Sequence, residues 1–209
     1  MKKGLSKVIA GLALGASLAY SPIARAETWE INLCNKFVDS TGNELMDNFF
    51  PAVDNSASDS YVLGEDTLNP PPVPGDYSEL SSVVDGDRLM VDKRAPIPFS
   101  SSKTWNLDLI LANPSFTPMS GTNNIKPVDI SQVPADYLII LKDYGTDSSR
   151  MSLVNSVDMR ATTNYSFSAS GLGIVRYLDL TVTNVPEPSA ATLVGFAAWI
   201  GYLASRKRK

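Results

Sequence analysis

The acidic residues are the only side chains of this chain that occur in a pattern suited to catalysis. The sequence has 22 Asp and Glu residues, one cysteine and no histidine. Without histidine the usual general base and the commonest metal ligand are missing, so a Ser-His-Asp or Cys-His arrangement is impossible. Two carboxylate pairs remain, Asp85 with Asp87 and Asp143 with Asp147, and such pairs can act as acid and base in glycoside hydrolysis. Because an acidic chain brings some carboxylates together by chance, we predict that the protein is not an enzyme, and a glycoside hydrolase is the less favoured alternative.

The same aspartates suit a divalent cation. Asp143 and Asp147 belong to the run Asp-Tyr-Gly-Thr-Asp, and Asp85-Gly86-Asp87 forms a second turn signal. Calcium prefers such oxygen ligands, although neither run has the length or the closing Glu of an EF-hand loop. Aspartate is also common in turns for conformational reasons alone. We therefore predict no obligatory cofactor, and keep calcium at Asp143 and Asp147 as an alternative that would assist a carbohydrate-binding module.

Aromatic side chains are the other candidates for ligand binding. Trp29, Trp105, Tyr165 and Tyr177 can stack on sugar rings if they are exposed. Trp29 and Trp105 fall on the apolar side of their runs, so we expect them in the core. Cys34 is the only cysteine, which excludes an intramolecular disulfide, and we expect it to be a small buried hydrophobe in a strand.

Alternation of apolar and polar residues predicts that strands position these side chains. The clearest alternating runs cover residues 29–34, 105–111 and 175–183. The nearly continuous apolar run at residues 137–142 predicts a central strand buried on both faces. Less regular candidates are residues 61–63, 88–91, 151–157 and 164–168. No long amphipathic helix is visible, and only residues 42–50 suggest one or two helical turns.

This pattern predicts a mainly β fold. About eight short strands separated by Pro, Gly, Asn and Asp are typical of an antiparallel β-sandwich, here of the jelly-roll kind. Residues 51–80 interrupt the strand pattern with many prolines, serines and aspartates, including the run Asn-Pro-Pro-Pro-Val-Pro-Gly. They predict one long exposed loop, partly of polyproline type.

Charge is distributed unevenly along the chain. The net charge is −4, but residues 27–184 hold 10 of the 18 basic residues and 21 of the 22 acidic ones, a net charge near −11. A nucleic-acid-binding domain needs clustered Lys and Arg, so we exclude nucleic acid as a partner. The acidic surface is compatible with neutral glycans or divalent cations, and it favours the solubility of an exported protein.

Residues 1–26 have the layout of a secretory signal peptide. Three lysines, at positions 2, 3 and 7, precede an apolar stretch over residues 8–20, and Ala24 and Ala26 form an Ala-x-Ala cleavage site. We predict a signal helix that the Sec translocon and signal peptidase handle, with cleavage after Ala26. An uncleaved membrane anchor is the alternative.

Residues 185–209 combine an extended motif, an apolar run and a basic end. The motif is Val185, Pro186, Glu187 and Pro188, and its two prolines exclude it from helices and interior strands. As a helix, the run over residues 190–204 reaches roughly 22 Å, slightly short of the roughly 30 Å bilayer core, so the predicted transmembrane helix is a marginal span. Its large apolar residues are Leu193, Val194, Phe196, Trp199, Ile200 and Leu203. The basic residues that stop it on the cytoplasmic side are Arg206, Lys207, Arg208 and Lys209.

This tail resembles the PEP-CTERM sorting signal of bacterial surface proteins. The resemblance rests on Pro186, Glu187 and Pro188, followed by the apolar run and the basic end, and Ser189 also fits the pattern. In that family an exosortase, a multi-spanning membrane enzyme, is thought to recognise the Pro-Glu-Pro motif and process the protein at the membrane. The run Tyr-Leu-Ile-Ile-Leu-Lys-Asp at residues 137–143 and the strand at 177–183 look like strands of β-sandwich ectodomains in such proteins, which is a resemblance in fold only.

Three segments follow from these patterns: a signal peptide at 1–26, an ectodomain at 27–184, and a sorting and anchor segment at 185–209. The resemblance implies an exosortase as partner. It also implies an exported protein, transiently anchored in the bacterial cytoplasmic membrane and then delivered to the cell surface or the extracellular matrix. Association with extracellular polysaccharide is a further expectation. A permanent tail anchor is the alternative for the C-terminal segment.

Overall fold

Strands make up the regular structure of the described part of the chain. The computed structural model describes residues 28–70, 75–113 and 117–185, and within these ranges it has strands and no α-helix. In chain order the strands are β1 (Trp29–Glu30), β2 (Asn32–Asp39), β3 (Glu44–Val53), β4 (Thr67–Leu68), β5 (Tyr77–Val84), β6 (Asp87–Arg94), β7 (Ser102–Ala112), β8 (Met119–Asp129), β9 (Tyr137–Asp143), β10 (Asn155–Asp158), β11 (Tyr165–Gly171) and β12 (Ile174–Asn184). A helix long and apolar enough to cross a membrane is not found among these residues.

The twelve strands form one sheet that is nearly closed into a barrel. The order is β10-β9-β12-β7-β5-β6-β3-β2-β8-β11, with β1 paired to β3 and β4 paired to β6. Paired strands run antiparallel except β3 and β6, which are parallel from Phe50 to Val53 of β3. β3 connects the two halves of the sheet, because residues 44–49 pair with β2 and residues 50–53 pair with β6.

The alternating pattern of β7 shows how the strands build the core. Trp105, Leu107 and Leu109 are buried, whereas Asn106 between them is exposed. Inward residues from the other strands of the sheet, including Trp29 of β1, join them in the main apolar cluster. Burial of such apolar surface, at about 25 cal/mol per Å², is the principal force that holds the curved sheet together.

The turn between β5 and β6 has the residues that a two-residue hairpin requires. Val84 and Asp87 are the last paired residues, and between them Asp85 has a φ of 53° and Gly86 a φ of 92°. Both angles lie in the left-handed region that tight hairpins of this kind demand, and Asp-Gly is one of the pairs that adopts it most readily. The turn predicted at Asp85-Gly86-Asp87 is confirmed.

Much of the strand prediction is confirmed. The runs at 29–34, 88–91, 105–111 and 175–183 fall in β1 with β2, in β6, in β7 and in β12. The less regular candidates at 151–157 and 164–168 overlap β10 and β11, whereas residues 61–63 contribute only an isolated bridge at Leu63. The prediction of a mainly β fold is confirmed as well.

Three local predictions are corrected. Residues 42–50 form no helical turns but lie mostly in β3, where pairing with β2 overrides local propensity. The loop predicted at 51–80 is interrupted by the end of β3, by β4 and by the start of β5. Pro51 is tolerated in β3 because it lies where this strand changes partner from β2 to β6, and its carbonyl accepts the N–H of Ile31. Residues 137–142 are buried on one face only, because a single curved sheet has one inner face, and Leu138 on the other face is 38% exposed.

The finer prediction, an antiparallel jelly-roll-like sandwich, stays a prediction. The described residues show a continuous sheet with one parallel pair, because β3 is long enough to belong to both halves. The predicted signal helix and transmembrane helix fall outside the described residues.

Candidate functional site

The sheet ends at the residue before the predicted sorting motif. Asn184, the last residue of β12, donates its backbone N–H to the carbonyl of Ser101 at 3.0 Å. The N–H of Val185 donates to the carbonyl of Asp136 at 2.9 Å, and the Asn184 side-chain amide lies 3.2 Å from the Tyr137 hydroxyl. Two loops on either side of β12 therefore fix the point at which the chain leaves the sheet.

Val185 is the one residue of the predicted sorting segment that the structure describes. Its side chain is 42% exposed, so the motif begins at the surface of the sheet. The other site residues predicted at the two ends of the chain lie outside the described residues and stay predictions: Ala24, Ala26, Pro186, Glu187, Pro188, Leu193, Val194, Phe196, Trp199, Ile200, Leu203, Arg206, Lys207, Arg208 and Lys209.

Asp143 is a buried carboxylate that is bonded on both oxygens. It ends β9 and its residue is 1% exposed. The Arg176 Nε lies 2.9 Å from each carboxylate oxygen, and the backbone N–H of Gly145 donates to Oδ1 at 2.7 Å. The Tyr165 hydroxyl donates to Oδ2. A carboxylate paired with a guanidinium in this way is a structural counter-ion to Arg176.

Asp147 is an exposed carboxylate that organises the loop after β9. Its Oδ1 accepts the hydroxyl and the N–H of Ser149, and its Oδ2 accepts the N–H of Ser152 at 2.8 Å. These hydrogen bonds lower the pKa of Asp147 to about 2, and the bond from the Ser149 hydroxyl contributes most. Asp143 and Asp147 therefore face different environments, the one inside the sheet and the other on a surface loop.

The calcium alternative stays a prediction. In residues 28–70, 75–113 and 117–185 no group of three or more carboxylate or cysteine side chains is arranged to hold a metal ion. The other predicted pair, Asp85 and Asp87, flanks Gly86 at the exposed tip of the β5–β6 hairpin. All four aspartates thus have a conformational role in a turn or at a strand end, which is the role that aspartate commonly takes there.

A charged cluster on the outer face of the sheet was not predicted. We call Glu79, Arg88, Asp108, Arg150 and Asp179 the outer-face cluster. Arg88 pairs with Glu79 at 2.5 Å and approaches Asp108 at 3.6 Å. Arg150 pairs with Asp108 at 3.0 Å and approaches Asp179 at 3.5 Å. Two guanidinium groups thus link carboxylates from β5, β7 and β12. These three strands are neighbours in the sheet although they are distant in the sequence.

The contacts of Arg150 hold its loop against the sheet, although they do not fully offset the burial of Asp108. Burial raises the pKa of Asp108 above its ordinary value, and the nearby guanidinium groups of Arg88 and Arg150 only oppose that rise. Arg150 itself has a φ of 55° and lies 5.2 Å over the ring of Tyr177. A non-glycine residue in the left-handed region needs compensating contacts, and its ion pairs with the sheet supply them. The loop is therefore held against β7 and β12.

The predicted stacking aromatics are largely internal. Trp29 and Trp105 are 1% and 0% exposed and their rings lie 6.2 Å apart, so their prediction as core residues is confirmed. Tyr165 is buried beside Asp143, and Tyr177 is covered by Arg150. Cys34 is buried in β2, which confirms its prediction as a small hydrophobe in a strand.

A surface pocket of about 260 Å³ lies at the start of the sheet. It is lined by β1, the end of β3 and Gln132, and it contains the charged side chains of Glu30, Asp54 and Lys93. Hydrogen bonds from the backbone and hydroxyl of Ser56 lower the pKa of Asp54, which keeps that carboxylate ionised. Apolar residues, among them Ala52 and Val53, also line this open pocket.

Comparison with known proteins assigns no family to the chain. No family model, no curated protein and no solved structure matches it. The PEP-CTERM resemblance therefore continues to rest on Pro186, Glu187 and Pro188 with the apolar run and the basic end that follow them.

Proposed function

We propose that this is an exported protein that an exosortase processes at the bacterial cytoplasmic membrane and that then resides at the cell surface or in the extracellular matrix. The observation that carries the proposal is the order of segments at the C-terminal side of the sheet. β12 ends at Asn184, and Val185-Pro186-Glu187-Pro188, the apolar run and the basic end follow without an intervening linker. A folded domain joined directly to a rigid, extended motif presents that motif to a membrane enzyme close to the bilayer.

We assign the β domain a non-catalytic, structural role in this process, in association with extracellular polysaccharide. Support comes from the way its carboxylates are used. Asp143 is paired with Arg176, Asp108 is paired with Arg150, and Asp147 caps a loop. Carboxylates engaged in this way stabilise a fold, whereas a catalytic carboxylate pair has to face a cleft with room for substrate and water.

The curved sheet is proposed to be a flattened, jelly-roll-like sandwich, carried between a signal helix and a transmembrane helix. The support is the placement of the main apolar cluster, to which Leu33 and Ile125 contribute from one half of the sheet and Leu109 and Leu180 from the other. Two halves that face each other across a shared core are the defining feature of a sandwich.

The sorting proposal is tested with the double variant Glu187→Ala, Pro188→Ala in a bacterial host that carries an exosortase. We expect the wild type to be released without its tail. Its mass should match a chain that begins at Glu27 and ends near residue 185. The double variant should stay in the membrane fraction with residues 189–209 attached. Intact-mass measurement of both fractions distinguishes these products. The matched control is Glu44→Ala, which removes one exposed carboxylate from β3 and should be processed like the wild type.

A host without an exosortase provides the second arm of the test. There the wild type should behave like the double variant and keep its tail. Release of the double variant with the wild-type mass would refute the role of Glu187 and Pro188. Wild-type release that does not depend on the exosortase would refute the role of that enzyme.

A further inference from the structure

The interior of the sheet contains a polar layer between two apolar clusters. Along β2 the inward residues are Leu33, Asn35 and Phe37, of which the first belongs to the main cluster and the last to a second, smaller one. β3 repeats this order with Phe49, Asp47 and Leu45. β12 does so with Leu178, Arg176 and Ile174, and β8 places Asn123 between Ile125 and Met119. We call Asn35, Asp47, Ser78, Asn123 and Arg176 the interior polar layer.

Most of this layer is hydrogen-bonded or ion-paired to residues of other strands. The Asn35 Nδ2 donates to the Ser78 hydroxyl at 2.5 Å, across from β2 to β5. Asp47 accepts the backbone N–H of Leu80 at 2.7 Å, and Arg176 is paired with Asp143. The first two bonds show that the layer is a built feature of the interior, since they link strands that are not adjacent in the sheet.

Two amides in the layer are left incomplete. Both polar atoms of the Asn123 side chain and the Oδ1 of Asn35 have no hydrogen-bond partner among the described residues. Asn35 and Asn123 are 0% exposed, so bulk solvent does not reach them. Buried polar atoms of native proteins are almost always hydrogen-bonded, either to protein or to ordered water.

The geometry allows one molecule to serve both amides. In the β2–β8 register Asn35 is opposite Ile125 and Asn123 is opposite Phe37, which makes the two asparagines diagonal neighbours on the inner face. Diagonal neighbours are roughly 7–8 Å apart, and their Cβ atoms somewhat less, so their amide groups lie within reach of one bridging molecule. Water has the matching hydrogen-bonding groups, because it can donate to both Oδ1 atoms and accept from Nδ2, and buried waters make about three such bonds.

We propose that the interior polar layer is a binding site for ordered water, which bridges Asn35 Oδ1 and the Asn123 amide. The site does not depend on the proposed sorting function, since it is carried by the sheet alone. Exchange of this water with bulk solvent requires the sheet to open. β11, which pairs with β8 next to Asn123, lies at one end of the strand order.

The first test needs no substitution. A high-resolution crystal structure of the protein should show a water oxygen within about 2.7–3.2 Å of the Asn123 amide and of Asn35 Oδ1. A direct hydrogen bond between the two amides, with no water beside them, would overturn the proposal. Density for a larger bound molecule would overturn it too, and would make the layer a ligand site instead.

The second test counts long-lived internal waters by oxygen-17 magnetic relaxation dispersion of the full-length protein. Asn123→Leu removes both incomplete polar atoms and should lower the count by about one water, since one bridging water serves both amides. Asn106→Leu is the matched control, because Asn106 is exposed on the outer face of β7, and its count should equal that of the wild type. An unchanged count in Asn123→Leu contradicts the proposal.

Discussion

The Tyr165 hydroxyl donates a hydrogen bond to the Oδ2 of Asp143, and this bond joins β11 to β9, two strands that are not neighbours in the sheet. β11 is at one end of the strand order, and β9 is next to the other end. Arg176 of β12 adds to the connection, because its guanidinium pairs with Asp143 and lies 3.9 Å over the ring of Phe167. Hydrogen bonds between side chains thus span the place where the barrel lacks backbone pairing. We call Asp143, Tyr165, Phe167 and Arg176 the closure cluster.

Loss of the Asp143 carboxylate is expected to destabilise the sheet strongly. Asp143→Ala leaves the Arg176 guanidinium in the interior without its counter-ion, and breaking a buried pair in this way costs about 3–5 kcal/mol. Urea unfolding should show that loss in the free energy of unfolding. The double variant Asp143→Ala, Arg176→Met should recover part of it, because it removes the unpaired charge as well.

The control for this prediction is an exposed ion pair. Glu44 is 51% exposed and pairs with Lys36, which is 32% exposed, so Glu44→Ala should change the free energy of unfolding by at most about 1 kcal/mol. Equal losses in Asp143→Ala and Glu44→Ala would show that the closure cluster contributes no more than a surface pair.

Alkaline pH should loosen the closure cluster through Tyr165. Burial, and then the hydrogen bond to Asp143, raises the pKa of Tyr165 above its ordinary value of 10.0. The fold therefore favours the protonated phenol. The stability this adds is fully present below pH 10 and is lost as the pH rises through the higher pKa of the folded state. An absorbance titration should show a late-ionising tyrosine that disappears in Tyr165→Phe.

Tyr144→Phe is the matched control for Tyr165→Phe. Burial and the charge of Asp179 raise the pKa of Tyr144 as well, but its ring lies on the loop after β9 and outside the closure cluster. Both variants should lose a late titration. Only Tyr165→Phe should accelerate amide hydrogen exchange in β11, and equal exchange in the two variants would argue against a closing role for the Tyr165 hydroxyl.

Acid should release two surface loops at unusually low pH. The pKa of Asp147 is lowered to about 2, mainly by the hydrogen bond from the Ser149 hydroxyl. The pKa of Asp39 is also lowered to about 2, mainly by the hydrogen bond from the Thr41 hydroxyl. Because the pKa of each carboxyl group is lower in the folded state, the stability that its hydrogen bonds add is fully present above about pH 3.8. This stability is lost as the pH falls toward 2. NMR titration of the side-chain carboxyl resonances checks both values. Titration of Asp147 near its ordinary value of 3.8 would show that the loop hydrogen bonds are absent in solution.

The strands that could be predicted are those whose own residues carry the pattern. β7 alternates large apolar residues with polar ones, so local sequence reveals both its existence and its inner face. β8 was missed because its Ser, Gly and Asn residues have little strand propensity and interrupt the apolar alternation. It is a strand because β2 and β11 pair with it on both sides, which is information that lies far away in the sequence.

The same reason separates the sites that could be predicted from those that could not. The sorting motif is contiguous, so Pro186, Glu187 and Pro188 can be recognised directly. In the outer-face cluster, Asp108 can be seen in advance only as an outward polar residue of an alternating strand. Its pairing with Arg150 depends on the β5-β7-β12 order and on a loop residue with positive φ. The interior polar layer likewise needs the register of β2 against β8.

Gly121 is expected to be irreplaceable in β8 for reasons of space alone. A Cβ added at this position would lie 2.2 Å from the carbonyl oxygen of Val38 and 2.8 Å from the ring of Phe37. The carbonyl belongs to β2, which is held in place by its pairing with β8 and β3, so it cannot move without breaking the sheet. Gly121→Ala should therefore lower the free energy of unfolding by about 1–3 kcal/mol, the usual range for overpacking.

Ser120→Ala is the matched control for Gly121→Ala, because it alters the preceding residue of the same strand at an exposed position. Its effect should stay within about 0.5 kcal/mol. Urea unfolding followed by tryptophan fluorescence reports on both variants, since Trp29 and Trp105 are buried in the main cluster. Because β11 pairs with β8, Gly121→Ala should also accelerate exchange in β11. Coincident unfolding curves for the two variants would contradict the prediction, because they would mean that β8 and β2 leave room for a Cβ atom at position 121 beside the Val38 carbonyl oxygen.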